Sequence, residues 1–210
     1  AFKPSPTLGA PAPTKALVLY NGNGLQAWKA KADPNKAIMW KEVDGAAMEV
    51  VSGKQDIMTR QEFQDYKLHL EFKLAYMPHS QGQARSNSGI FHLGHYETQI
   101  LDSFGLHGVH NQAGGIYQTR KPDVNAVYPA GLWQTYDVSI TSPRFDDKGK
   151  KVKNARITVR LNGVLVHNDV EVPRPTWSGH KRGKESQKGP IILQDHGNPV
   201  QYRNIWVLEQ

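Results

Sequence analysis

Apolar and polar positions alternate in short bursts along the chain, and turn residues separate the bursts. Between Tyr66 and Leu74, the residues Tyr66, Leu68, Leu70, Phe72 and Leu74 alternate with Lys67, His69, Glu71 and Lys73, the period of two expected of a strand with one buried face. Leu17 to Tyr20 is an apolar run stopped by Asn21-Gly22-Asn23-Gly24, and Asp44-Gly45 separates Trp40 to Val43 from Ala46 to Val51, which predicts a hairpin. Further strands are predicted from Ser88 to Leu93, Tyr96 to Leu101, Trp133 to Ile140 and Ala155 to Leu161, the last closed by Asn162-Gly163 onto Val164 to Val166. Ile191 to Gln194 and Val200 to Leu208 complete the set, and the region before Ala130 is long and irregular. The helical candidate is a single turn from Thr59 to Phe63 capped by Thr59. About a dozen short strands point to an all-β fold, a two-layer antiparallel β-sandwich of the jelly-roll kind.

Length and composition narrow this picture. A chain of 210 residues with 19 Gly and 13 Pro suits one turn-rich domain, placed at residues 15–210. Residues 1–14 lack strand periodicity and offer only Phe2 and Leu8 to a core, so they read as a flexible N-terminal tether that can be deleted at little cost. Such a segment resembles what remains after signal-peptide removal, which suggests a secreted or periplasmic chain, or else an ordinary frayed terminus. No apolar run approaches the roughly 20 residues of a membrane helix. The absence of cysteine removes disulfides, thiol nucleophiles and cysteine-bound metals. The formal charge of +7 is concentrated from Arg144 to Arg160 and from Arg174 to Lys188, without interleaved aromatics, so it reads as a solvated basic surface rather than a nucleic-acid groove. Oligomeric state stays open.

Candidate chemistry gathers in two segments. In Tyr96-Glu97-Thr98-Gln99-Ile100-Leu101-Asp102 an extended strand puts Glu97 and Gln99 on one face, where a carboxylate beside an amide can move protons and bind hydroxyls. In Gln194-Asp195-His196-Gly197-Asn198-Pro199 an apolar strand runs into a turn, and His196 is the group that titrates near neutrality. The alternatives are a polar face that merely meets solvent, and a turn organised by Asp195 and Asn198. His92 with His95 and His107 with His110 raise the question of a divalent cation, although residues three apart on a strand face opposite ways. Among Trp28, Trp40, Trp133, Trp177 and Trp206, Trp206 reads as core and Trp133, entering from a loop, is the better sugar-stacking platform. Arg85, Asn87 and Arg203 can bind hydroxyls, or pair with carboxylates.

Taken in order, these segments resemble the 3-keto-disaccharide hydrolase domain family, which has the concanavalin A-like lectin/glucanase fold. The resemblance runs through Leu19-Tyr20-Asn21-Gly22, Trp40-Lys41-Glu42-Val43-Asp44-Gly45, Asn87-Ser88-Gly89-Ile90-Phe91, the Glu97 strand and Ala130-Gly131-Leu132-Trp133. It ends on Gly189 to Ile205, which contains Gln194-Asp195-His196-Gly197-Asn198-Pro199. Departures are His92-Leu93-Gly94-His95 and Gly114-Gly115-Ile116-Tyr117 in the long loop.

The resemblance implies a carbohydrate substrate and cleavage of glycosides already oxidised at carbon 3, by enolate formation and elimination with net hydrolysis. That chemistry needs a base, an acid and donors for the enolate oxygen. Glu97 or His196 serves as base or acid, and Asp102 or Asp195 orients His196. Arg85, Asn87, Gln99, Tyr117, Trp133, Gln194 and Asp195 are candidates to bind substrate. No cofactor is required, while a divalent cation could replace the donors. The rival readings are a non-catalytic, lectin-like binding module on a concave sheet face, and classical two-carboxylate hydrolysis, for which Asp102 would have to share the face of Glu97.

Overall fold

The computed structural model describes residues 3–176 and 184–210. Trp177 and the centre of the Arg174 to Lys188 segment lie outside them. In chain order the strands are β1 (Leu17–Tyr20), β2 (Trp28–Ala30), β3 (Lys41–Val43), β4 (Ala47–Glu49), β5 (Ile57–Thr59), β6 (Tyr66–Lys73), β7 (Ser88–His92) and β8 (Tyr96–Ile100). They continue as β9 (Trp133–Thr141), β10 (Arg144–Phe145), β11 (Lys151–Lys153), β12 (Ala155–Leu161), β13 (Val164–Val172), β14 (Ile192–Leu193) and β15 (Gln201–Glu209). The larger sheet has the order β13-β12-β9-β6-β15-β4-β3 with β1 paired to β15; the smaller is β2-β5-β14-β7-β8. All pairings are antiparallel, and the layers form the expected β-sandwich.

The helical turn expected from Thr59 to Phe63 does not form. Thr59 ends β5, where its hydroxyl donates to the Gln61 carbonyl (2.7 Å) and accepts from Ile191 N (3.0 Å), and Phe63 pairs in extended conformation with Gly189. The pull on this segment is tertiary, because the Phe63 ring is fully buried. Helix among the described residues is one 3-10 turn at Gly82–Ala84.

Between the layers, β6 contributes Leu68, Leu70 and Phe72, and β7, β8 and β14 contribute Ile90, Tyr96, Ile100 and Leu193. Phe72 and Tyr136 stack with centroids 5.1 Å apart. Phenols of the larger sheet also bond across the core to the smaller one. Tyr202 Oη donates to Ser88 Oγ (2.6 Å), Tyr136 Oη to the Gln99 carbonyl (2.7 Å), and Tyr66 Oη lies 3.1 Å from His92 Nδ1. Burial drives all three phenol pKa values upward, so each stays a neutral donor.

The expected flexible tether is instead a strap docked on the outer face of the larger sheet. Ser5 Oγ lies 2.6 Å from Thr135 Oγ1, Thr7 Oγ1 donates to Asp137 Oδ2 (2.7 Å), and Gly9 N donates to Glu71 Oε1 (2.6 Å). The Ala10 carbonyl accepts from Asn204 Nδ2 (3.0 Å) and Trp206 Nε1 (3.3 Å). Beneath the strap His69 and Glu71 are buried although strand parity turns them outward, so β6 has two covered faces rather than one. Trp206 is not core either; it stacks on His69 at 5.1 Å.

Burial alone would raise the Glu71 pKa. Hydrogen bonds from His69, Asn204, Gly9 N and Arg203 outweigh it and hold the carboxyl at about 2. A carboxyl with a depressed folded pKa contributes stability above its ordinary value of 4.5, and that contribution is lost as pH falls from there towards 2. Removing residues 1–10 is therefore expected to cost about 2–4 kcal/mol at pH 7. The corresponding fall in melting temperature is roughly 5–15 °C, narrowing between pH 4.5 and 2 as Glu71 protonates. Thermal melts of the two forms across this range check it, and a melting temperature unchanged by truncation at pH 7 would return the segment to a free tether.

Candidate active site

The site is assembled on the outer face of the smaller sheet. Strands β7 and β8 pair with Gly89 opposite Gln99 and Phe91 opposite Glu97. On the other side of β7, Ile192 lies opposite Phe91, and Gln194 N just beyond β14 donates to the Gly89 carbonyl (3.0 Å). Because Ile90, Tyr96, Ile100 and Leu193 point into the core, parity turns Gly89, Glu97, Gln99 and Gln194 outward. Beside them Met58, Phe91 and Ile192 form a separate apolar cluster.

Glu97, Gln99, Gln194 and His196 line one cavity of ≈160 Å³ together with Gln83, Asn87 and Tyr117. Among the described residues that line it, the carboxylate is Glu97, only 2% exposed. That side chain lies across Gly89, where an added Cβ would fall 2.3 Å from Glu97 Oε1. The strand carrying Glu97 is clamped at its backbone: Glu97 N donates to Thr176 Oγ1 (3.2 Å), and its carbonyl accepts from Tyr117 N (3.0 Å). The Tyr117 ring meets His110 edge to face at 6.1 Å. His196 is exposed at the rim. Asn198 Oδ1 accepts from Asn87 N (2.7 Å), tying the turn after His196 to the start of β7.

Four of the expected site residues lie elsewhere. Asp102 accepts from Arg85 Nε (2.7 Å), so each satisfies the other and neither lines the cavity. Asp195 accepts from Lys54 N, Gln55 N and Gly197 N at 2.8 to 3.1 Å, which makes it a turn organiser rather than the partner of His196. Trp133 belongs to the larger sheet, where the Arg203 guanidinium sits 4.1 Å and Lys73 Nζ 5.0 Å from its ring centre. Arg203 in turn donates to Glu71 (2.7 Å).

The histidine pairs do not converge. His92 is sealed in the core between Tyr66 and Thr98, and burial pushes its pKa down to about 3. His95 Nε2 lies 3.0 Å from Ser186 Oγ, and His110 Nδ1 accepts from Gln118 N. No group of three or more His, Cys, Asp or Glu side chains is gathered among the described residues; a cation in the cavity would rely on Glu97, His196 and carboxamide oxygens.

Gln83 was missed because its 3-10 turn lies in a polar stretch without periodicity. Gly89 did leave a signal, since glycine inside a strand marks close approach. A larger cleft of ≈570 Å³ flanks β10 and β11 among Arg144, Lys151, Lys153 and Arg156. Asp65, Glu185 and Asp169 pair with the first, second and last of these, and the cleft holds no carboxylate–imidazole pair.

The model of the 3-keto-alpha-glucoside-1,2-lyase-like domain matches residues 15–208. The chain belongs to this family of carbohydrate-active domains. A protein from Parabacteroides distasonis described as a "putative glycosyl hydrolase" is 36% identical with a TM-score of 0.86, over 95% of this chain and 85% of its own. Another of that description from the same organism, 22% identical with a TM-score of 0.66, covers 94% of this chain and 100% of its own, and shares the fold. The alginate lyase Aly36B, solved with an alginate tetrasaccharide, is 11% identical with a TM-score of 0.51 over 95% and 98% of the two chains, again a likeness of fold. No curated protein is significantly similar to the chain.

The seat of the Glu97 carboxylate is testable. Gly89→Ala is expected to fold with a loss of about 1–3 kcal/mol from overpacking and to displace the Glu97 side chain. A melt and a crystal structure of the variant report both, and a carboxylate that stays in place would show that the seat has slack.

Proposed function

We propose that this chain is an enzyme that cleaves glycosides already oxidised to a ketone at carbon 3, with Glu97 and His196 as its acid–base pair. The observation that carries the reading is the cavity in which one buried carboxylate and one imidazole share a floor of carboxamides. Family membership and the 36% identical relative support a carbohydrate-active, glycosyl-hydrolase-like role. The cavity, at ≈160 Å³, is smaller than the roughly 300–1,000 Å³ clefts of drug-sized ligands and suits one sugar ring.

The 3-ketone acidifies the hydrogen on carbon 2. The base removes that proton and the C–H electrons move into a C2=C3 enolate. When the ketone re-forms, a C1=C2 double bond appears and the C1–O bond breaks, and the acid protonates the departing oxygen. Water then adds across C1=C2, so the net change is hydrolysis. Gln194 Oε1 is buried without a partner among the described residues and is placed to accept from a sugar hydroxyl, while the carboxamide N–H groups of the floor supply the donors that an enolate oxygen needs. Two-carboxylate hydrolysis is disfavoured because Asp102 is committed to Arg85.

Incubation with a 3-keto-glucoside and with its unoxidised parent tests the reading by release of the aglycone. Turnover of the keto form alone is expected. Glu97→Gln and His196→Ala should each lower it by about 10²- to 10⁴-fold with melting temperatures close to the original. Binding of both sugars without turnover of either would make the domain a lectin-like module.

A further inference from the structure

The long loop between β8 and β9 walls the cavity on one side and carries apolar side chains that the core does not use. It is attached to the cavity at two points: Tyr117 N donates to the Glu97 carbonyl (3.0 Å), and the Asn111 carbonyl accepts from Gln83 Nε2 (2.7 Å), with Tyr117 and Gln83 both in the lining. His110, next to Asn111, meets the Tyr117 ring edge to face. Four of the ten large apolar side chains exposed among the described residues lie on this loop, Phe104, Leu106, Val109 and Val124, each 42 to 55% exposed.

Hydrogen bonds draw the segments that bear these four side chains together. Asn125 Nδ2 donates to the carbonyls of Ser103 and Leu106 (2.8 Å each), which sets Val124 beside the turn that holds Phe104 and Leu106. Gln112 Oε1 accepts from Gly108 N (3.0 Å) and Val109 N (3.2 Å). The Gly108 backbone packs on the same Asn125, since an added Cβ there would fall 3.5 Å from Asn125 Cβ. Ser103 Oγ accepts from Ala113 N (3.1 Å), tying the start of the loop to its middle. The backbone is thus braced by polar groups, and the four apolar side chains are left to the solvent. Single exposed apolar residues are ordinary, whereas a group of them on one braced segment beside a cavity marks a surface that something covers.

The cavity, at ≈160 Å³, takes one sugar ring, so the group bonded to carbon 1 lies outside it and over the rim that this loop helps to form. A second sugar, rich in hydroxyls, gains little from Phe104, Leu106, Val109 and Val124. An aliphatic or aromatic group removes them from water. We propose that this patch seats the leaving group and that the substrates are 3-keto-glycosides of apolar alcohols, alkyl or aryl, rather than 3-keto-disaccharides. The inference rests on the reading of the cavity as a keto-glycoside-cleaving centre and names the substrate class for it.

Methyl and hexyl 3-keto-glucosides test it, because their leaving alcohols are of similar acidity and the extra methylenes report contact with the protein alone. In the full chain kcat/KM is expected to rise by about 10- to 100-fold from methyl to hexyl, chiefly through KM, since the contact is made equally in ground and transition states. Phe104→Ser combined with Leu106→Ser should bring the hexyl-to-methyl ratio down to about 1 to 3. Equal kcat/KM for the two glucosides in the native chain, or a preference that the double variant keeps, overturns the proposal. Should the double variant fail to fold, Val124→Thr keeps the shape of the side chain and is expected to lower the ratio by roughly 2- to 5-fold; an unchanged ratio counts against the patch. Sedimentation velocity tests the other occupant: a dimer of the native chain that Phe104→Ser with Leu106→Ser dissociates gives the patch to a second copy and overturns the proposal. If neither glucoside is turned over, calorimetric binding of the two still reads the patch: tighter binding of the hexyl compound, lost in the variant, keeps the seat and sinks the proposed function. Turnover of both without preference keeps the function and sinks this inference.

Discussion

The Tyr136 hydroxyl donates to the Gln99 carbonyl at 2.7 Å and accepts from Gly114 N at 2.6 Å, and that contact, made across the core from the larger sheet, holds the strand on which the site is built. Tyr202 does the same for β7 through Ser88, whose hydroxyl passes the bond on to the Gln194 carbonyl at 2.6 Å. A slip of β8 by one residue would strand a buried hydroxyl and a buried carbonyl, at about 1–3 kcal/mol each, and would carry Glu97 into the apolar interior. Register and site geometry are therefore one constraint. The outer face of the smaller sheet can hold a buried carboxyl and, among the described residues, an amide oxygen without a partner because the inner face is pinned by hydrogen bonds that a slipped sheet could not make.

The two outer faces of the sandwich treat their polar residues differently. On the larger sheet His69, Glu71, Asp137, Arg203 and Asn204 satisfy one another under the N-terminal strap. That network is closed, which suits a structural role. On the smaller sheet the polar residues face a cavity, and Gln194 Oε1 still lacks a partner among the described residues. An ion pair such as Arg203–Glu71 or Arg85–Asp102 resembles a binding group in the sequence, yet each cation is already engaged by its own carboxylate.

That difference explains which parts of the site were legible in the sequence. Parity alone placed Glu97 and Gln99 on one face, and the apolar run into Gln194 placed His196 at a strand end, because both inferences need only local backbone geometry. The strand pattern and most turns were legible for the same reason. Asp102, Asp195, Arg85 and Trp133 were misread because their partners, from Arg85 to Lys54, Gln55 and Arg203, are fixed by tertiary pairing that no spacing reveals. The burial of His69 and Glu71 was hidden likewise, since the strap that covers them has the composition of a free terminus.

A site with one carboxylate suits a substrate that carries its own activation. Ordinary glycoside cleavage builds positive charge at carbon 1 and requires two carboxyl groups, one ionised to stabilise or attack that carbon and one protonated for the leaving oxygen. Here the second candidate, Asp102, is neutralised by Arg85 and lies off the cavity. A ketone at carbon 3 changes the demand, because charge then develops as an oxyanion on the sugar, and amide donors serve it better than a second anion would. On the proposed reading, the carboxamides that line the cavity read sugar hydroxyls and face that oxyanion.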